Sequence, residues 1–243
     1  FLGVFIFTGI GGEWRGLQQT AADYYERTNL AELRLYGSGF SDENRLTLLD
    51  MPEVTDSERR LTVSATANLE GQPAVALHFI ESGQISRPYA VSGKPFTPET
   101  DGIWIDDRFA QAHKLTAGDM LHLEASGLML EKEIIGTVYS PDYVYYADSS
   151  GLPDFYTMGY AFVSAAFYPF SDEIPYGEML LKSHTSAAVL EKRVSSVFDG
   201  INTAFLAQAD HPSYAAFQQE IEQHRAMGSI FPTVFLAIAL LTI

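Results

Sequence analysis

Residues 33–65 read LRLYGSGFSDENRLTLLDMPEVTDSERRLTVSA, a complete strand–helix–strand unit. Leu33-Arg-Leu-Tyr36 alternates apolar and polar side chains at the two-residue period of a strand. Gly37-Ser-Gly39 turns the chain, Ser41 is placed to cap a helix running to about Met51, and Pro52 stops that helix. Arg60-Leu-Thr-Val-Ser-Ala65 then alternates again. A second unit lies far downstream. Glu178–Lys182 reads as a strand, with Thr185 as the candidate cap of a helix over Ser186–Phe198. The face of that helix would be Val189, Leu190, Val194 and Val197; Asp199-Gly200 ends it, and Thr203–Leu206 is a short strand. Two similar units so far apart predict one α+β subdomain assembled from both halves of the chain. Between them the pattern is mostly β: Ala74–Ile80, Gly102–Asp106, Asp119–Ala125 and Glu131–Tyr139. Arg108–His113 is a short helix there, and Gly118 permits a positive φ in the turn before the third strand. Residues 69–150 are therefore expected to form an inserted β-rich subdomain.

Charge is unevenly placed. The 243 residues carry 31 acidic and 15 basic side chains, a net charge of -16, which argues against a nucleic-acid binder because no basic surface is available to displace counterions. All 46 charges lie between Glu13 and Arg225, leaving Phe1–Ile10 and Ile230–Ile243 as uncharged apolar tracts. A bilayer core needs roughly 20 apolar residues of helix, so the tracts are expected to be the ends of longer membrane helices, with everything between them on one side of the membrane. Beside each tract runs a helical stripe: Trp14, Leu17, Ala21 and Tyr24 before the globular part, and Tyr214, Phe217, Ile221 and His224 after it. Asp210-His211-Pro212 suits a helix start, and a helix running from Pro212 into the second tract is too long for a small soluble core. These stretches are expected to be stalks.

The order of these features resembles the extracytoplasmic domain of MacB/FtsX-type ABC transporter permeases. An apolar tract and a Tyr-Tyr helix are followed by Asn29-Leu-Ala-Glu-Leu-Arg-Leu-Tyr36, the helix opened by Ser41-Asp42-Glu43, and Leu49-Asp-Met-Pro-Glu-Val54. The stretch from Ile103-Trp-Ile-Asp106 through Leu115-Thr-Ala-Gly-Asp119 is similar to a further segment of that family. The resemblance implies a porter-like α+β subdomain with an inserted β-rich one. It divides the chain into 1–12 (end of a transmembrane helix), 13–68 (stalk and first half of the porter-like part), 69–150 (insertion), 151–211 (second half) and 212–243 (exit stalk and start of a transmembrane helix). It further implies a bacterial cell-membrane location with this segment outside the cytoplasm, a cytoplasmic ABC ATPase subunit as partner and a permease dimer. The head would act on a peptide, lipid, drug or cell-wall partner. The alternative from another class is the ligand-sensing ectodomain of a membrane receptor, a histidine kinase or a chemoreceptor.

Nothing in the sequence nominates catalysis, a cofactor or a metal. Without cysteine there is no disulfide framework, thiolate zinc site or cysteine nucleophile. The six histidines show no ligand spacing, and no phosphate-binding or nucleophile-elbow motif occurs. Asp106-Asp107 with His113 and Asp119 lacks the alternate oxygen spacing of a hard-cation loop and reads as helix-capping charge. The remaining candidate is aromatic: Tyr139–Tyr176 holds twelve Phe or Tyr residues in 38 positions. Tyr143, Tyr145, Tyr146, Phe155, Tyr156, Phe167, Tyr168 and Phe170 could form a partner or substrate surface. The favoured alternative is that most are core of the strands that rejoin the two subdomains, because a β-rich core needs such residues.

Overall fold

The structure, a computed structural model, describes residues 2–145, 153–198 and 202–241. For residues 2–14 and most of 229–241 it describes the backbone alone. The first half of the chain contains α1 (Leu2–Arg27), β1 (Leu33–Tyr36), α2 (Asp42–Leu49), β2 (Val54–Ala67), β3 (Ala74–Ile80), β4 (Tyr89–Gly93), β5 (Ile103–Asp106) and α3 (Asp107–His113). Then follow β6 (Met120–Ala125), β7 (Leu128–Tyr139), β8 (Met158–Ser164), β9 (Glu178–Ser183), α4 (Ala187–Val197), β10 (Ala204–Ala207) and α5 (Pro212–Leu241).

The two strand–helix–strand units interleave in the order β10-β1-β9-β2, with every neighbouring pair antiparallel. That is the split βαβ arrangement, in which each unit supplies one inner and one outer strand. Leu33, Leu35, Met179 and Leu181 point from this sheet into the core that Leu48 of α2 and Leu190, Val194 and Phe198 of the α4 region fill from the helix side. The cap of α2 is reciprocal: Ser41 Oγ accepts from the Asn44 N–H at 3.2 Å, while Asn44 Oδ1 accepts from the Ser41 N–H at 2.9 Å. At α4 two expectations are corrected. Ser186, not Thr185, occupies the N-cap, because Thr185 is held in the preceding turn by its N–H donating to Ser183 Oγ at 2.9 Å. Val189 and Val197 are exposed, since the helix turns the four-residue pair Leu190 and Val194 to the sheet and leaves both valines on its flanks.

Strand β2 is 14 residues long and belongs to two structures at once. Val54–Arg60 pairs with β9, Arg60–Thr66 with β3 and Ala65–Ala67 with β6. Following the remaining pairs, β3–β8, β8–β5, β5–β7 and β7–β6, returns to β2, so six strands close a ring. Ala65, Val75, Leu77, Leu121, Leu123, Ile105, Ala161 and Val163 join the same continuous core. Two of the strands carry no pattern that announces them. β4 is a short, largely exposed edge strand. β8 reads Met-Gly-Tyr-Ala-Phe-Val-Ser without alternation because both its faces are buried. β8 lies between β3 and β5 within the β-rich part, although its residues fall in the 151–211 span expected to complete the other half.

Strands β4 and β7 approach each other around two glycines. A Cβ at Gly136 would stand 2.6 Å from the Ser92 carbonyl oxygen and 2.8 Å from that of Lys94. Gly93, at φ +71°, would place a Cβ 2.4 Å from the Ile135 carbonyl oxygen. Because the obstacles are backbone, Gly136→Ala is expected to cost about 1–3 kcal/mol, read as a lowered denaturant midpoint. An unchanged midpoint would show that β4 is not held in this register.

Candidate functional site at the base of the helix pair

The C-terminal turns of α1 pack on the N-terminal turns of α5. Ala21, Tyr25, Leu30 and Ile221 are buried together, with Leu17, Tyr24, Val144, Tyr214 and Phe217 packed around them. The Tyr25 ring lies 5.0 Å from Tyr214 and 6.2 Å from Phe217, so the two helices run antiparallel from the head. Of the stripe residues, Leu17, Ala21, Tyr24, Tyr214, Phe217 and Ile221 come together in this contact. Tyr25 joins it without having been singled out, since it sits one position off the spacing used. His224 is half-buried and lies 3.4 Å from Glu220 on its own helix. The side chain of Trp14 lies outside those described. Among the described residues no helix is long and apolar enough to cross a membrane.

The pair joins the sheet through the 3-10 turn Pro141–Tyr143, which follows β7. Val144 belongs to the helix-pair cluster, and the Tyr145 N–H donates to Ser213 Oγ in the first turn of α5 at 2.9 Å. Between them the turn drives Asp142 into the sheet. Its carboxylate accepts from Arg34 of β1 and, at 2.7 Å, from Nη1 of Arg60 of β2. All three side chains are buried. Burial alone would raise the Asp142 pKa, but Arg34, Arg60 and His211 together hold it down to about 2.

Beside this triad runs a hydrogen-bond chain across three strands. Tyr143 Oη lies 2.8 Å from His78 Nε2, His78 Nδ1 lies 2.8 Å from Thr62 Oγ1, and the Thr62 hydroxyl donates to Glu178 at 2.5 Å. With the hydroxyl proton committed to the carboxylate, Thr62 accepts from His78 Nδ1–H, and Nε2 accepts from Tyr143. This tautomer requires a neutral imidazole. Burial first, and then the Arg60 charge, lower the His78 pKa to about 3. Burial and Arg34 also lower that of His211. Arg34, Tyr36, Arg60, Thr62, His78, Asp142, Tyr143, Tyr145, Glu178, Leu206, His211, Pro212 and Ser213 together line a cavity of about 640 Å³.

The aromatic candidates divide among several places. Tyr143 stacks on Tyr160 at 4.4 Å beside the cavity, and Tyr145, 54% exposed, lines its wall. Phe155 lies under the Arg108 guanidinium at 4.4 Å, and Tyr156 is exposed beside His113. Phe167 sits 5.5 Å below Lys132 Nζ, while Tyr168 and Phe170 pack edge-on against the buried Phe79. Tyr146 lies outside the described residues. Asp106 caps α3 and pairs with Arg108, and Asp107 accepts from Thr137 and Gln111; among the described residues no acidic or histidine group is arranged to hold a metal.

No family model matches the chain, and no curated protein matches it. Several solved structures are similar in fold. One is the extracellular domain of the noncanonic ABC-type transporter YknZ from Gram-positive bacteria, at TM-score 0.49 and 16% identity over 72% of this chain and 98% of that one. The periplasmic region of MacB from Actinobacillus actinomycetemcomitans aligns at TM-score 0.46 and 12% identity over 78% and 92%. A domain of a putative permease protein from Porphyromonas gingivalis aligns at TM-score 0.42 and 10% identity over 71% and 86%.

Two outcomes test the junction. Asp142→Asn leaves two buried guanidinium groups without their shared anion and is expected to cost about 3–5 kcal/mol in chemical denaturation; a loss below ~1 kcal/mol would contradict the triad. The second outcome concerns pH. His78 titrates near 3 when folded and at its ordinary 6.5 when unfolded, so its contribution is complete above pH 6.5 and drains away as pH falls toward 3. The unfolded chain takes up the extra proton there, at a limiting slope of about 1.4 kcal/mol per pH unit. His78→Gln should flatten the stability–pH curve over that window; an unchanged slope would place a protonated imidazole in the folded protein.

Proposed function

We propose that this chain is the extracytoplasmic domain of an ABC transporter permease, and that its helix pair carries displacement between the membrane and the head. The observation that carries the reading is the joint itself: α1 and α5 pack on each other and are tied to the sheet by a buried ion triad rather than by a loose loop. Such a tie passes on rotation or translation of the pair instead of absorbing it. α5 spans about 45 Å at 1.5 Å per residue, with its backbone hydrogen bonds internal to the helix. The uncharged tracts Phe1–Ile10 and Ile230–Ile243 enter the bilayer in this reading, which sets the head outside the cytoplasm. A cytoplasmic ABC ATPase, fused or separate, supplies the motion, and two permease copies move against each other. The split βαβ half, holding Arg34 and Glu178, receives the motion, and the six-strand ring reached through β2 works on the cargo or partner. The head performs no chemistry of its own.

In the full-length protein with its ATPase in membranes, Ile221→Pro is expected to break the buried contact between the helices. ATP hydrolysis should continue while transport, or activation of the partner, falls to the background of an ATPase-dead control. Coupled activity at the unsubstituted level would contradict the reading.

A further inference from the structure

The cavity at the base of the helix pair has a chemical character that force transmission does not use. Its volume of about 640 Å³ is in the range of small-molecule sites. Arg60 lines it and is completely buried. Nη1 of that guanidinium is taken by Asp142 at 2.7 Å, and Nη2 has only a 3.5 Å contact with the Ile85 carbonyl oxygen. Nε has no partner at all, which is costly for a charged group out of water. The Nε–Nη2 edge is the one a carboxylate grips with two parallel hydrogen bonds. His211, in the turn that leads into α5, also lines the cavity and has a buried Nδ1 that is likewise without a partner. Tyr36, Tyr145, Leu206 and Pro212 give one part of the wall an apolar surface that suits an apolar body, while Thr62, Glu178 and Ser213 line another part.

We propose that this cavity is a ligand site for a small organic acid, with its carboxylate on the Nε edge of Arg60, a second hydrogen bond from His211 and its apolar body between Tyr36, Tyr145 and Leu206. Nε is closed off from solvent, so binding opens the floor slightly. The fully used Nη1–Asp142 bond keeps Arg60 anchored while it does so. Two ligand sources share this chemistry, the free C-terminus of a peptide and an aliphatic acid. The site stands independently of the transport reading, because binding needs neither a bilayer nor an ATPase.

The test is a thermal-shift and calorimetric titration of the 243-residue chain in nonionic detergent. N-acetyl-phenylalanine serves as the peptide-end probe and octanoate as the aliphatic one, each against its neutral amide. At least one acid should raise the melting temperature saturably, with its amide at least tenfold weaker, and the stronger acid identifies the source. Arg60→Lys keeps the charge but lacks the Nε edge and should weaken binding at least tenfold. Because that variant disturbs a buried triad, Leu206→Trp is the second arm: it fills the cavity from a half-buried edge-strand position and should abolish binding in a folded protein. No saturable shift with either acid, equal binding of acid and amide, or undiminished binding by Leu206→Trp would each overturn the proposal.

Discussion

One carboxylate organises the junction. Asp142 sits on a three-residue turn that has no regular partner in either the sheet or the helices, yet both depend on where it goes. By reaching Arg34 and Arg60 it ties the turn to β1 and β2, and through Val144 and Tyr145 the same turn grips the helix pair. Removing two arginines and an aspartate from water is expensive, and an apolar substitute of similar volume would often be as stable. What the ion triad supplies instead is direction. A buried carboxylate between two fixed guanidinium groups has one arrangement, and an apolar plug would have several.

The neighbouring chain from Tyr143 through His78 and Thr62 to Glu178 is consistent with that role. It links the turn to β3, β2 and β9 and so ties it to strands on both sides of the shared β2. Burial, and then the two arginines that hold Asp142 ionised, keep His78 neutral, and only the neutral ring can donate at Nδ1 while accepting at Nε2. The triad and the chain are therefore electrostatically one unit, although they share no residue.

Much of the architecture is legible from local chemistry, because each local signal agrees with the global fold. Leu33-Arg-Leu-Tyr36, the Ser41 cap and the Pro52 stop all fall where the first unit is built, and Asp210-His211-Pro212 marks the start of α5. Pattern fails where both faces of an element are buried, as in β8, and where an edge strand is mostly solvated, as in β4. The junction was illegible for a related reason. Arg34 and Arg60 read as the polar, outward positions of alternating strands, which would normally mean solvent. Here a turn more than 80 residues later in the sequence covers them. A trace was present in Met179-Leu-Leu181, whose unbroken apolar run implies a sheet covered on both faces. The aromatic candidates are close in sequence but dispersed in space, with Tyr143 on the turn after β7, Phe155 and Tyr156 ahead of β8 and Phe167 on a second 3-10 turn after it, each facing different neighbours.

The central claim, that the helix pair and the head move as one body because Asp142 joins them, is best tested by a distance measurement. Spin labels at the exposed positions Glu222 on α5 and Glu131 on β7 report the separation directly in the 243-residue chain. The account predicts a single narrow distance distribution in the native protein and a broad or split one in Asp142→Asn, with circular dichroism showing both folded. Equally narrow distributions at the same distance in both proteins would contradict it.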